Sequence, residues 1–372
     1  MMKRLGTGLV VMTILLPGVL RAQDWGISWL PILVPASNEF PFIALGADYS
    51  VPAPYEAPYV SNGALSGAAG VTFKGSWFAA VRFRAPGLVR KWRFDVRAKA
   101  IRANRFGYYG IGNETTYDKD LGKQEPNFYR VSRSLYLGQV EVSRQLVGPL
   151  WAALAGRVQH TDFEPLSGLS RFGLDAGGET VSESDASARL TLVVDTRDTE
   201  YNTQKGVFLE VGGKVASGGD GYTWIYTNLS GFVTPREGTV IGVRIAGGTT
   251  DGTPPLSQRF EFNSWEQDRI SFGGRFTNRG FPDSRFAGES VVLGNVDLRH
   301  DLLNLGDLGA ITLMVFGDAG RVFEDEDFTL DNLHWGAGGG FALRLLRSNL
   351  WTFNFSGGSE GFRFLFGWGW MF

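Results

Sequence analysis

Three charged residues in the last third of the chain have the types and spacing of a buried ion-pair network. Arg279 lies in a glycine-rich stretch, and Asp297 and Asp318 lie in the two alternating apolar segments that follow it. Each aspartate belongs to the polar side of its segment, so both carboxylates would point the same way from neighbouring strands. A guanidinium binds carboxylates in bidentate fashion, which would hold the glycine-rich stretch against the strands. The alternative is that Arg279 is one solvated loop arginine among many.

The segments that must position these residues are predicted to be β-strands. In "GVFLEVGGKVAS" (206–217) and "NLWTFNFS" (349–356), apolar and polar residues alternate with the strand period. Such segments run about 9–13 residues, the length of tilted strands that span a bilayer. Their apolar side is rich in Trp and Phe, and their polar side carries both charge signs, which suits a wet lumen. A soluble β-sandwich would need that charged side outside, so the sequence favours an all-β, transmembrane antiparallel β-barrel.

The number of strands follows from the segment count and a parity rule. The sequence contains fifteen candidate strand segments, the first of which begins at residue 41. Bacterial single-chain barrels have an even number of strands. We therefore expect sixteen strands, with the missing one inside 105–130 or 129–146. If residues 65–85 form a single strand, the total is fourteen. The longest intervening segment, 250–287, is predicted to be an outer loop.

The first residues have the layout of a secretory signal peptide. Lys3 and Arg4 precede an apolar run that contains Pro17, and this run is shorter than the ~20 residues of a spanning helix. The alternative is an N-terminal membrane helix. We expect export of the chain to the bacterial outer membrane. The predicted domains are a signal peptide over 1–22, a short periplasmic segment over 23–40 and an outer-membrane β-barrel over 41–372.

Composition and the sparse histidines exclude several function classes. The formal charge of −2 and the pI of about 6.0 argue against a nucleic-acid partner. The absence of cysteine excludes disulfides, thiol catalysis and thiolate metal sites. The only histidines, His160, His300 and His334, do not supply a nucleophile, base and orienting group together. The acidic "EDEDF" (324–328) is either a solvated loop or an oxygen-ligand cation site. We predict no enzyme, no cofactor and no metal site.

Several motifs, in order over residues 90–372, resemble those of the BamA/TamA superfamily of outer-membrane assembly barrels. The first two are "RFGYYGIGNET" (105–115) and "VVDTRDTEYNTQKGVFLEV" (193–211). Arg-Gly-Phe in the long loop, then "NVDLR" (295–299) and "FGDAG" (316–320), complete the order. Each motif is weak alone, and together they are a specific signature of a bacterial surface antigen type of barrel.

This resemblance implies a sixteen-stranded barrel whose long outer loop folds into the lumen. The motif residues of that loop would be Arg279, Gly280 and Phe281. Arg279 would bond the inner wall through Asp318, with Asp297 nearby. In that case Arg279 would fix the loop to the barrel wall and would not be a solvated loop arginine.

The resemblance also implies a weak seam between the first and last strands and a signal at the chain end. The alternate aromatics of 362–372 are expected to face lipid. Of these, Phe372, Trp370 and Trp368 resemble the C-terminal signal that assembly machinery reads. Prolines in "VPAPYEAPYV" (51–60) would weaken pairing of the first strand or would only shape an outer loop.

The function implied by the resemblance is assistance in protein insertion into, or translocation across, the outer membrane. Two departures from the family pattern matter: no POTRA module precedes the predicted barrel, and the "NTQKG" turn lacks the family proline. Expected partners are outer-membrane lipids, client outer-membrane or secreted proteins, and a separate periplasmic protein. The alternatives are a passive channel or structural surface barrel and, less favoured, an outer-membrane hydrolase.

Overall fold

The computed structural model describes residues 25–36, 38–263, 268–270, 272–324, 328–347 and 349–372. The predicted signal peptide and the centre of "EDEDF" lie outside the described residues. Within these ranges, the helices are short and lie in connections between strands: α1 (Lys119–Gln124), α2 (Arg171–Asp175), α3 (Leu256–Arg259) and a 3-10 turn (Gly306–Leu308). None of the helices in the described ranges has the length and apolar character needed to cross a bilayer.

Sixteen antiparallel strands form one sheet, in which each strand pairs with the next along the chain. Its first eight strands are β1 (Gly26–Val34), β2 (Phe42–Pro52), β3 (Ser61–Val71), β4 (Trp77–Val89), β5 (Trp92–Gly107), β6 (Arg130–Val147), β7 (Leu150–Glu164) and β8 (Val181–Asp195). The next three are β9 (Gly206–Ala216), β10 (Gly221–Arg236) and β11 (Thr239–Thr253). The two short strands β12 (Glu261–Asn263) and β13 (Asp268–Ile270) pair with each other in the loop after β11. The sheet then continues with β14 (Ser290–Asn304), β15 (Gly309–Phe323), β16 (His334–Leu345), β17 (Asn349–Gly358) and β18 (Gly361–Trp368).

The predicted fold class, an all-β antiparallel barrel of sixteen strands, is confirmed, but the missing strand is in a different place. The ranges 105–130 and 129–146 do not contain the additional strand. The sixteenth strand is β1, which pairs with β2 from Gly26↔Ser50 to Val34↔Phe42. The boundary between a periplasmic segment over 23–40 and a barrel over 41–372 is therefore wrong. Because β1 is an edge strand with apolar residues on both sides, it lacks the alternation that identified the other strands.

Alternation along the strands separates a lipid side from a lumen side. On β9, Val207, Val211 and Val215 are exposed on the outside, whereas Glu210 and Lys214 are buried inside. This is the expected consequence of a period of two in a wall with lipid on one side and polar groups on the other. Residues 61–71 and 77–89 are two strands, which excludes the fourteen-stranded alternative.

The core lies inside the barrel, where the loop between β11 and β14 packs on the wall. One cluster joins Phe272, Phe281 and Phe286 of the loop to Trp224 and Tyr226 of β10. A second cluster groups aromatic residues of the loop, the wall and α2: Phe106, Tyr108, Phe163, Phe172 and Phe260. The loop therefore fills the lumen as a hydrophobic core fills a globular domain.

The proline-containing stretch before β3 lies on the periplasmic side. It joins β2 to β3 at the same end of the barrel as the tight turns between β6 and β7 and between β10 and β11. Short turns mark the periplasmic end of such barrels. The expectation that these prolines shape an outer loop is therefore wrong, because the additional strand β1 reverses the side of that connection.

Candidate functional site

The Arg279 side chain is held inside the barrel by two aspartates from neighbouring strands. Its Nε and Nη2 donate to the two carboxylate oxygens of Asp318 at 2.9 and 2.8 Å, and Nη2 also donates to Asp297 Oδ1 at 2.7 Å. The Arg279 backbone N–H donates to Asp318 Oδ2 at 2.9 Å. All three side chains are at most 1% exposed. The loop is thus fixed to β14 and β15 through bidentate, charge-assisted hydrogen bonds in a water-excluded site.

Neighbouring wall residues complete this network. Arg299 Nη2 donates to Asp297 Oδ2 at 2.9 Å, and Asn295 Nδ2 donates to Asp318 Oδ1 at 2.8 Å. The Phe316 ring lies under the Arg279 guanidinium, with 3.6 Å from Cζ to the ring centroid. Two arginines and two aspartates therefore balance in charge, which is the condition for keeping ions in a dry interior.

The backbone of the loop lies flat on strands β16 and β17 beside this network. A Cβ added to Gly280 would lie 2.6 Å from Gly336 Cα and 2.9 Å from Gly357 O. Asn278 Nδ2 donates to His334 O at 2.8 Å, and Ser356 Oγ donates to Arg279 O. A residue with a side chain would not fit between the two backbones, so glycine is required on both sides of the contact.

The structure brings the predicted loop residues and their partners together, and it adds residues that the sequence reasoning missed. Phe281 packs edge-on against Phe286 at 5.3 Å between centroids, inside the loop cluster. Phe316 and Asn295 share the inward parity of Asp318 and Asp297, each two residues away, and Ser356 lies on the polar side of its strand. Inward parity was the only sequence signal for these three, because their partner is a loop residue distant in sequence.

The last four residues leave the sheet and enter the lumen. Strand β18 ends at Trp368, and Gly369 adopts φ +73°, which turns the chain inward. The Arg299 guanidinium lies 4.2 Å from the Trp370 ring centroid, and the Arg244 guanidinium lies 5.2 Å from that of Phe372. The expectation that the aromatics of 362–372 all face lipid is therefore wrong for the last two. Cation–π contacts and packing inside the barrel replace lipid contact at these positions.

Further contacts hold this tail of residues 369–372 in place. The Phe372 ring lies 5.8 Å from that of Phe232 on β10. Arg275 of the lumenal loop donates to the carbonyl of Gly369 at 2.9 Å and also to that of Trp368. Trp370 Nε1 donates to Asn202 Oδ1 at 2.8 Å, in the periplasmic connection between β8 and β9.

The position of the tail leaves the seam of the barrel incomplete. Over the described residues, no ladder joins β1 to β18; Trp368 Nε1 donates to Leu33 O at 3.2 Å across the gap. Since the two strands are antiparallel, a straight continuation of β18 would run beside β1 from Leu33 towards Gly26. The tail turns inward at that point, so the outer edge of β1 has no described strand beside it.

The periplasmic connections β2–β3, β8–β9 and β16–β17 contact one another and form a layer, called the periplasmic floor, that also bridges the seam. Arg347, in the turn between β16 and β17, donates to the carbonyls of Pro54 (3.1 Å), Tyr55 (2.9 Å) and Ala57 (2.8 Å) in the connection between β2 and β3. In the connection between β8 and β9, the Glu200 backbone N–H donates to Pro58 O at 2.8 Å. These contacts join both sides of the gap below the membrane.

The three histidines occupy different environments. His334 stacks on Phe286 at 3.8 Å between centroids, within the loop core. His300 interacts with Thr239 Oγ1 at 2.8 Å rather than with Asp301. His160 lies on the outer surface, with Nδ1 2.9 Å from Ser184 Oγ and Nε2 3.3 Å from Asp162 Oδ1. Sequence reasoning missed this last group, because its members belong to two strands.

Comparison with known proteins agrees with this architecture. Residues 77–356 match the Omp85 superfamily domain. In fold, the chain is similar to BamA from Haemophilus ducreyi lacking POTRA domains 1–3, with TM-score 0.57 and 11% identity over 91% of this chain and 69% of that chain. It is also similar to CdiB from Escherichia coli, with TM-score 0.59 and 12% identity over 92% of this chain and 62% of that chain.

A second CdiB, from Acinetobacter baumannii, gives TM-score 0.54 and 10% identity over 92% of this chain and 65% of that chain. The chain thus spans slightly less than two thirds of either CdiB. A comparison with curated proteins found no match. Because the family match extends over most of the strands described above, the predicted BamA-like assignment is confirmed: the chain is an outer-membrane β-barrel that belongs to the Omp85 superfamily.

Proposed function

We propose that this barrel assists the insertion of proteins into the outer membrane, or their translocation across it, by way of the β1–β18 seam. Membership of the Omp85 superfamily and the BamA and CdiB likeness support this function class. The observation that carries the mechanism is the free edge of β1 beside a C-terminal tail turned into the lumen.

A free strand edge offers unpaired N–H and C=O groups to another chain. In lipid these groups must find partners, so an incoming strand of a client protein gains main-chain hydrogen bonds by adding to β1. The rest of the wall cannot do this, because each of its strands is paired on both sides. The seam is therefore the place where β-augmentation can begin.

The lumenal loop has a supporting role in this proposal. The Arg279 network and the Gly280 contact fix the loop against β14–β17, the strands that precede β18 in the sheet. From there, Arg275 of the same loop holds the tail away from the seam. A lumen filled in this way supports assembly over a passive channel, which requires an open aqueous path.

Cross-linking of the seam tests the proposal. The chain has no cysteine, so cysteines introduced at Leu33 and Trp368 are its only thiols. A short bis-maleimide linker that forms a thioether with each of them should abolish the ability of the barrel, in proteoliposomes, to accelerate folding of an unfolded outer-membrane protein. The matched control joins Val96 to Val140, an outward-facing pair on adjacent, fully laddered strands.

If the cross-linked seam retains full activity and the Val96–Val140 control behaves identically, the seam has no role. Depletion in the native host with outer-membrane proteomics separates the two branches of the proposal. Loss of other barrels indicates insertion, and loss of a secreted protein indicates translocation.

Export and partners complete the proposed pathway. Residues 1–22 are proposed as the signal peptide, and Trp368, Trp370 and Phe372 as the assembly signal, read before the tail enters the lumen. The floor, built around Arg347, is the surface proposed to meet a separate periplasmic partner. Outer-membrane lipids surround the exposed apolar band.

A hydrolase is a second candidate, favoured by one observation. On the lipid side of the barrel, His160 hydrogen-bonds to Ser184 through Nδ1, and its Nε2 lies 3.3 Å from Asp162 Oδ1. A hydrolase also needs hydrogen-bond donors placed for an oxyanion. This group alone is therefore weaker support for hydrolysis than the seam is for protein insertion or translocation. Fluorophosphonate labelling of the folded barrel, with Ser184→Ala as control, decides it: no labelling of the wild type removes the candidate.

A further inference from the structure

A cleft at the extracellular end of the seam has the chemistry of an anion site. It has a volume of about 530 Å³ and lies between the top of β18, the connections β1–β2 and β3–β4, and the lumenal loop. Its charged lining consists of three cationic side chains, Lys74, Arg105 and Arg363, and two carboxylates, Glu39 and Asp283. Strand β1 ends at Val34, below this level, so the upper part of β18 faces the cleft instead of a strand.

The arginines at this cleft form no salt bridge with a carboxylate of the described residues. Neither Arg105 nor Arg363, nor the adjacent Arg130, has a described carboxylate within salt-bridge distance, in contrast to the paired Arg279. Buried nitrogens of these arginines also have no acceptor among the described residues: Arg105 Nε, Arg363 Nε, and Nε and Nη1 of Arg130. The Arg279 network also contains such nitrogens, at Arg279 and Arg299, but two carboxylates balance its charge. A buried guanidinium nitrogen without an acceptor is costly, so an external anion would supply both the acceptor and the counter-charge at the cleft.

Two carboxylates, Glu39 and Asp283, line the cleft with its three cationic side chains. The oxygens of Glu39 accept hydrogen bonds from the Thr72 and Ser76 hydroxyls at 2.5 and 2.6 Å, so they are directed to these groups and not to an arginine. Burial raises the pKa of Asp283, so burial disfavours its charged form. The cleft therefore keeps a surplus of positive charge towards its opening.

The rim of the cleft is apolar and aromatic. Phe40, Phe73 and Phe364 line it and are 56%, 77% and 55% exposed. Phe40 and Phe73 lie 5.6 Å apart between centroids. Exposed aromatic rings beside buried cations fit a ligand with an anionic head and an apolar tail, and the phosphate geometry matches the guanidinium fork.

We propose that this cleft binds the phosphate headgroup of an outer-leaflet lipid, with Arg105 and Arg363 as phosphate ligands, Lys74 as an additional cation and the three phenylalanines against the acyl chains. The site lies beside the seam, so a bound lipid would fill the gap above the end of β1. The proposal concerns lipid recognition and does not depend on the seam accepting clients.

The test is a binding titration of the refolded barrel in uncharged detergent. The probes are lysophosphatidic acid, an uncharged monoacylglycerol and inorganic phosphate. We expect lysophosphatidic acid to bind best, and Arg105→Gln/Arg363→Gln to weaken its binding about tenfold or more. The matched control is Arg144→Gln, an exposed arginine stacked on Trp92 at the periplasmic rim.

Three outcomes overturn the proposal: equal affinity of the wild type and the double variant, equal affinity for the uncharged amphiphile, or inorganic phosphate binding as tightly as lysophosphatidic acid. The last would make free phosphate the ligand. If the double variant does not fold, Arg363→Lys, which keeps the charge and loses the fork, should give an intermediate affinity. Unchanged affinity in that variant would contradict a bidentate phosphate contact.

Discussion

The lumenal loop and the seam are held by opposite kinds of interaction. The loop is attached through a fully buried guanidinium with two carboxylate partners and through backbone contact at Gly280. In the seam, no backbone hydrogen-bond ladder joins β1 to β18 over the described residues, and the Trp368 indole donates to Leu33 O across the gap. A loop that is firmly attached to β14–β17 therefore lies close to a separable seam between β18 and β1, and the predictions below test that contrast.

The largest effect is expected at the ion-pair network. Arg279→Ala leaves Asp297 and Asp318 buried without their main partner, which should lower the free energy of unfolding by about 3–5 kcal/mol. Urea unfolding followed by tryptophan fluorescence measures this. The control, Arg102→Ala, removes a half-exposed pair with Glu164 and should change stability by less than about 1 kcal/mol.

Adding Asp318→Asn to Arg279→Ala should cost less than the sum of the single changes, because both remove the same interaction. Fully additive effects would show that the two side chains do not act as a pair.

The glycine contact should give a smaller effect. Gly280→Ala places a methyl group against Gly336 and Gly357, and overpacking of this kind costs about 1–3 kcal/mol. Gly156→Ala is the matched control, because a Cβ there meets nothing within 4 Å. Equal unfolding midpoints for the two variants would mean that the loop does not lie against β16 and β17 in solution.

Hydrogen exchange should show the seam as the least protected part of the wall. Peptides from β1 should exchange roughly tenfold or more faster than peptides from β6, because β6 is paired along both edges and β1 along one. The linked Leu33–Trp368 cysteine variant should slow exchange in β1 and leave β6 unchanged. Equal protection of β1 and β6 in the unlinked protein would contradict a weak seam.

The smallest effect is expected at the periplasmic floor and depends on pH. Burial opposes ionisation of Glu200, but the guanidinium groups of Arg84 and Arg93 outweigh it and lower its pKa from 4.5 to about 2. Since the folded-state pKa is the lower one, the charged carboxylate stabilises the fold above pH 4.5, and this contribution disappears as the pH falls through about 2.

Urea midpoints of the wild type and Glu200→Gln should therefore differ by a constant amount above pH 5 and converge between pH 4.5 and 2. A difference that persists at pH 2 would show that the ion pairs do not cause it.

The success of sequence reasoning followed the strength of the local pattern. Strands such as β9 and β17 were predicted because one face of each strand contacts lipid and the other contacts polar groups. Their sequences therefore alternate between apolar and polar residues with a period of two. Strand β1 was missed because an edge beside a gap has no such constraint, and its omission put the prolines of 51–60 on the wrong side. The predicted lipid-facing position of Trp370 and Phe372 was also wrong. In the structure these rings contact Arg299 of β14 and Arg244 of β11, which are distant in sequence.

By itself, the sequence determined the barrel class, the inward parity of Asp297 and Asp318, and the motif order that indicates the superfamily. These are properties of single strands and short segments, so local physics is enough to specify them. Only the tertiary structure decided that Arg279 reaches both carboxylates, that the tail enters the lumen, and that two arginines without a salt bridge to a described carboxylate line a cleft beside β18. Each of these depends on contacts between segments far apart in the chain, which closure of the barrel brings together.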